Sequence, residues 1–155
     1  MLRFAIPVAL LVGVCLFGPH ESVACSCAMV PAGEQLDLSQ RVFTGTVIAT
    51  EVIADEGAAQ VHRSTLRVHA VWKGDASTQV LVDTMPVASC NLVLQPGAEY
   101  LVYAEPGPKE GIFRTHECFR TRRVEHAQED LDDLGEPLFT VETAPLSLGT
   151  MKARY

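Results

Sequence analysis

The residues best equipped for chemistry are cysteines. Cys25 and Cys27 flank Ser26 in a Cys-x-Cys clip, and Cys90 and Cys118 lie far along the chain. Four thiols can join in two disulfides or hold one metal ion as thiolates. A tetrathiolate zinc site ordinarily has two close pairs, and here there is one. The segment before the clip also points to an oxidising compartment, so disulfides are expected. Of the three possible pairings, Cys25 with Cys27 would close a very small, strained ring. Cys25 and Cys27 therefore each reach to Cys90 or Cys118, in either order. Each bridge closes a loop of roughly sixty residues or more, which chain-entropy models value at about 4 kcal/mol.

Other reactive side chains are less well placed. His62, His69, His116 and His126 show no metal-ligand spacing. His62 and His69 stand seven apart on one predicted strand, hence on opposite faces, and read as surface residues. Ser26 and Ser89 lack any recognisable base motif, so an enzyme is not expected. Trp72, Tyr100 and Tyr103 read as core and edge residues rather than a stacking platform. Glu129, Asp130, Asp132 and Asp133 read as a solvated helix face.

The elements that position the clip begin with what precedes it. Arg3 is followed by an apolar run from Phe4 to Phe17, broken by Gly18 and Pro19, and Ser22-Val23-Ala24 places small residues where a signal peptidase reads. Residues 1–24 are thus expected to be a cleaved signal peptide, taking Cys15 with them, and the protein to be secreted or periplasmic. The rival reading makes Cys25 a lipoprotein acceptor, although Ser22 stands where such sites carry an aliphatic residue. Removing 24 of the 155 residues leaves 131, about one domain. Net charge is −7, which disfavours nucleic acid and heparin. No second apolar stretch follows, so no membrane association is expected unless Cys25 is lipidated. Asn91 is the only asparagine and Leu92-Val93 follow it, so there is no N-glycosylation acceptor.

Residues 28–40 read as irregular, with one or two helical turns over Glu34–Gln40. Arg41–Ile53 is a long strand by its β-branched content, and Gly45 inside it marks a bulge or bend. Asp55–Ala59 is a hairpin loop. Val61–Lys73 alternates, with Leu66, Val68, Ala70 and Trp72 on the buried face. Gln79–Thr84, Glu99–Ala104 and Ile112–Thr115 complete five strands, and Pro86–Ser89 is a loop leading into Cys90. Arg123–Leu134 is a helix candidate, with Val124, Ala127, Leu131 and Leu134 at helical spacing and Gly135 and Pro137 as its stop. Residues 138–155 are an extra strand or a tail. Periodicity alone supports a small β barrel or sandwich with a helix. Five strands of Greek-key length and a closing helix in one small domain over 25–137 suggest a mainly β, five-stranded Greek-key barrel of the OB type with a C-terminal amphipathic helix.

The clip, Val42-Phe43-Thr44-Gly45-Thr46-Val47, Val71-Trp72-Lys73-Gly74, Glu99-Tyr100-Leu101-Val102 and the two late cysteines have a further meaning together. Over about residues 25–135 the chain resembles the tissue inhibitors of metalloproteinases and, more broadly, the netrin-like modules built on an OB barrel. Cys118-Phe119-Arg120-Thr121-Arg122 with Asp130–Gly135 looks like the short single-domain bacterial relatives. The animal inhibitors carry a third bridge in this domain and continue after the clip with Val-Pro, whereas here Ala28-Met29-Val30-Pro31 follow.

The resemblance implies bridges Cys25–Cys90 and Cys27–Cys118, and a monomer that inhibits zinc metalloendopeptidases with no cofactor or metal of its own. A catalytic zinc keeps one position open for water. The α-amine and carbonyl of a mature Cys25 would chelate that zinc in trans. The amine's ordinary pKa is about 8, so a useful fraction is neutral near pH 7. Ser26 would project toward the primary specificity pocket, and Cys27, Ala28, Ala88 and Ser89 would complete the contact ridge. The alternative is a netrin-like protein-binding module, secreted or lipid-anchored, whose clip only anchors the barrel.

Overall fold

The computed structural model describes residues 27, 28, 30–56, 59–85, 90 and 92–141. The leader, Cys25, Ser26, Ala88, Ser89 and residues 142–155 lie outside the described residues.

Helix α1 (Ala32–Leu38) precedes strands β1 (Arg41–Glu56), β2 (Ala59–Lys73), β3 (Gln79–Thr84), β4 (Glu99–Pro106) and β5 (Ile112–Thr115). The order around the sheet is β1-β2-β3-β5-β4, and β4 pairs back onto β1, closing a five-stranded barrel. Its neighbours are antiparallel except β3 and β5, which run parallel. This is the OB-type barrel the sequence predicts, and closure removes the exposed edges that an open sheet would present. Two short strands extend it: β6 (Arg122–Arg123) on β4, and β7 (Phe139–Thr140) on β2. β7 falls within residues 138–155, expected as an extra strand or a tail, of which 142–155 lie outside the described residues.

Alternation along the strands sorts side chains into two cores. Phe43, Val47, Leu66, Val68, Val71, Val80, Val82, Leu94, Tyr100, Val102 and Ala104 fill one cluster. Val42, Leu101, Tyr103 and Ala127 form the other, against which Leu36, Trp72, Phe119, Leu131 and Leu134 pack. β4 thus buries both faces: Tyr100 and Val102 go to the first cluster, Leu101 and Tyr103 to the second. Each fully buried side chain of this size contributes about 1.5–3 kcal/mol.

The expected buried face of β2 holds only as far as Val68. Gly45 pairs with Val68 and Thr44 with Ala70, leaving His69 unopposed. That extra residue reverses the phase, so Val71 enters the first cluster and Trp72 packs on the second. Gly45 is required here, since a Cβ on it would stand 2.7 Å from the Arg67 carbonyl oxygen. His69 is half-buried and its Nε2 shares a hydrogen bond of 2.8 Å with Thr46 Oγ1, so it is more than a surface residue.

The helix expected over Arg123–Leu134 is divided. Val124–His126 is a 3-10 turn, and α2 covers Gln128–Leu134. Arg123 and its neighbour pair with β4, which holds the start of the segment in extended form. Among the described residues no helix is long and apolar enough to cross a membrane.

Candidate functional site

The two late cysteines arrive at the clip by different routes. β5 ends at Thr115, a 3-10 turn covers Glu117–Phe119, and the chain returns to β6. Cys118 sits inside that turn. β4 pairs with β5 near Glu105 and with β6 near Leu101, leaving its Tyr103 backbone between them. Thr115 and Thr121 fill the gap. Thr115 Oγ1 donates to the Tyr103 carbonyl at 2.7 Å, and the Tyr103 N–H donates to Thr121 Oγ1 at 3.0 Å. Both threonines are buried, so side chains satisfy the polar groups that the interrupted ladder would orphan. The turn carrying Cys118 is thereby stapled at both ends.

Cys27 and Cys118 form a disulfide, S–S 2.03 Å and Cα–Cα 5.2 Å, across 91 positions. Cys90 Sγ lies 4.0 Å from Cys27 Sγ, and the three sulfurs all fall within 4.8 Å of one another. Of the two pairings open to the sequence, this bond belongs to the one that the resemblance implies. Cys25, the partner expected for Cys90, lies outside the described residues. Cys27, Cys90 and Cys118 are all disulfide-bonded, so none of the three sulfurs is a thiolate ligand.

A second restraint holds the segment after the clip. Arg120 has a left-handed backbone, φ 63°. Its Nη1 donates to the Val30 carbonyl at 2.9 Å, while Nε and Nη2 form a two-pronged contact with the Asp130 carboxylate. Asp130 is fully buried at 0 % exposure and Arg120 is 11 % exposed. Asp130 is therefore no part of a solvated face. It is the buried counter-charge that aims Arg120 at the N-terminal segment, and the hydrogen bond to it raises the guanidinium pKa. Sequence reading missed this residue, because an aspartate among Glu129, Asp132 and Asp133 carries no local mark of burial.

Trp72-Lys73-Gly74 ties the same end together. Trp72 Nε1 donates to the Gly135 carbonyl at 2.7 Å, just past α2. Lys73 Nζ donates to the Leu36 and Asp37 carbonyls at 2.8 and 2.9 Å, at the end of α1 where a cation suits the helix dipole. Gly74 has φ +101°, and a Cβ there would meet Arg41 Cγ at 2.9 Å.

Beside the clip a groove of about 410 Å³ runs between the N-terminal segment and α1, lined by Ala28, Val30, Leu38, His116, Cys118 and Phe119 among others. The His116 ring packs on Phe119 with centroids 3.8 Å apart, and its Nδ1 is buried without a hydrogen-bond partner. Desolvation lowers the His116 pKa; Glu105 opposes that shift and Arg114 adds to it. Of the expected ridge, the structure brings Cys27 and exposed Ala28 to this surface; Ser26, Ala88 and Ser89 are outside the described residues.

Compared with known proteins, the chain matches no family model and no curated protein.

Proposed function

We propose that the chain is a secreted inhibitor of zinc metalloendopeptidases, acting through the amine and carbonyl of a mature Cys25. The observation that carries this reading is the double restraint next to that residue. Cys27 is bonded to Cys118, and Val30, three residues on, is held by Arg120. An inhibitor that presents its own N-terminus to a metal gains from such restraint, since the ordering entropy is lost on folding rather than on binding. The second bridge is Cys25–Cys90. It would fix Cys25 itself, and Cys90 Sγ already stands 4.0 Å from Cys27 Sγ. The zinc belongs to the target, whose open position ordinarily takes water. A neutral amine and an adjacent carbonyl oxygen are a better pair of donors than that water, and metal binding drives off the amine proton. Small Ser26 would sit at the mouth of the specificity pocket, which suits a shallow pocket better than a deep one.

The test compares protein that begins at Cys25 with protein that retains Ala24, against a panel of zinc metalloendopeptidases. The first should inhibit at least one member, and the added residue should weaken that inhibition by about a hundredfold or more, the loss of a ligand interaction near 3 kcal/mol. Equal inhibition by both forms sinks the chelating mechanism. No inhibition from protein with a sequenced, free Cys25 leaves the netrin-like binding module in its place. An acylated Cys25 in the exported protein favours the lipid-anchored form of that module.

A further inference from the structure

We propose that the clip is a thiol–disulfide exchange site in which Cys27 switches between Cys118 and Cys90. Cys27 is bonded to Cys118, yet Cys90 Sγ is only 4.0 Å from Cys27 Sγ. The three sulfurs lie within 4.8 Å of one another, so a change of partner asks for a side-chain rotation rather than a refolded barrel. Val30 is held by Arg120 through its carbonyl, which leaves the short span from Cys27 to Val30 to absorb the movement.

Access decides where exchange begins. Cys27 and Cys118 are half-buried, whereas Cys90 is 5 % exposed. A small external thiol therefore enters at Cys27–Cys118. Its thiolate attacks Cys118 Sγ, the Cys27–Cys118 bond breaks, and Cys27 leaves as a thiolate while Cys118 holds the mixed disulfide. The Cys27 thiolate attacks Cys90 Sγ, and Cys25 leaves; this step rests on the Cys25–Cys90 bridge proposed above. The Cys25 thiolate then attacks Cys118 Sγ, forming Cys25–Cys118 and expelling the external thiolate. Two disulfides enter and two leave, no electrons are gained or lost, and the thiol is regenerated. The attack of Cys27 on Cys90 outruns a further external one because their sulfurs stand 4.0 Å apart, at high effective concentration. The product carries Cys25 on the Cys118 side of the clip, so the mature N-terminus is re-aimed. A thiol-rich setting would thereby alter whatever function depends on it.

The experiment uses the full mature chain, oxidised and folded, with a substoichiometric amount of reduced glutathione at mildly alkaline pH. Samples are quenched with acid and a maleimide. Fragmentation that cleaves between Cys25 and Cys27 assigns the bridges. The starting map tests the proposed Cys25–Cys90 bridge independently of exchange. The expected time course is a fall of Cys27–Cys118, a rise of Cys27–Cys90 and constant total thiol. A second sample, Cys25→Ser, releases Cys90 as a thiol beside Cys27, and a tryptic digest separates the Cys90 and Cys118 peptides. There Cys27–Cys90 should form in at least about one chain in ten, the share expected where the two pairings differ by no more than 1.4 kcal/mol. Persistence of Cys27–Cys118 alone in both samples, with glutathione or maleimide captured on Cys90, overturns the proposal. Protease inhibition is read separately, so its absence bears on the proposed function and not on exchange.

Discussion

Among the described residues, two two-pronged arginine–aspartate pairs look alike and do different work. Arg63 Nε and Nη2 donate to Asp83 at 2.7 and 2.8 Å. Arg120 grips Asp130 in the same way. The first pair lies on the barrel wall, inside a ladder of alternating charge: Glu51, Arg63, Asp83, Arg114 and Glu105 are successive register partners across β1, β2, β3, β5 and β4. Every member of that ladder sits on strands already joined by backbone hydrogen bonds. The second pair joins pieces that share no sheet: the N-terminal segment, the Cys118 turn and α2. Exposure differs in the same sense. Arg63 is 23 % and Asp83 4 % exposed, so the wall pair keeps some water. An ion pair matters most where nothing else spans the gap, and where a lost partner leaves a charge with no solvent to turn to.

The largest expected effect removes the other restraint at the clip. Replacing Cys27 and Cys118 together by alanine should cost about 4–5 kcal/mol, the chain-entropy value for a loop near a hundred residues. Chemical denaturation reads this as a shift in midpoint, and a cost below about 1 kcal/mol would mean that the Arg120 clamp and the remaining bridge suffice. Next comes the direct contrast. Asp130→Ala should cost about 3–5 kcal/mol, because it leaves the Arg120 charge in a buried setting. Asp83→Ala should cost about 1–2 kcal/mol, since Arg63 can turn to Glu51 and to water. Equal costs would erase the distinction between the two pairs. Asp130→Ala should also speed protease cleavage before α1, which Asp83→Ala should leave unchanged.

The smallest effect concerns pH. Burial lowers the His116 pKa in the folded protein. The unfolded chain then binds more protons as pH falls below the ordinary histidine value near 6.5. The stability due to this group is present above that pH and is lost progressively below it. Melting temperature should therefore fall between about pH 6.5 and 5 more steeply in the parent than in His116→Phe. The Cys118 turn, rather than the wall, should report that loss first in hydrogen exchange.

Much of the barrel was legible because strand signals are local. Gln79–Thr84, from its alternation, and Ile112–Thr115, as a short strand, read with the bounds they have in the fold, and Gly45 announced its bulge. The phase of β2 was not legible past Val68, since the unopposed His69 follows from the partner strand and not from β2's own pattern. The helix over Arg123–Leu134 showed the right apolar spacing, with Ala127, Leu131 and Leu134 all on the second core. Pairing with β4 nevertheless unwound its start. Asp130 and the bridging threonines Thr115 and Thr121 were invisible for one reason. Each answers a polar group brought close by the fold, and nothing nearby in sequence names that group.

By itself the sequence determined five strands, their order and the cysteine clip ahead of them, because period-two alternation, turn residues and cysteine count are properties of short stretches. Only the tertiary structure decided that β4 closes onto β1, that Cys27 bonds Cys118 with Cys90 close by, and that an aspartate in an acidic run is buried to hold Arg120. Those outcomes depend on which distant segments the closed barrel sets side by side, and on the cost of burying a charge or a backbone polar group that finds no partner there.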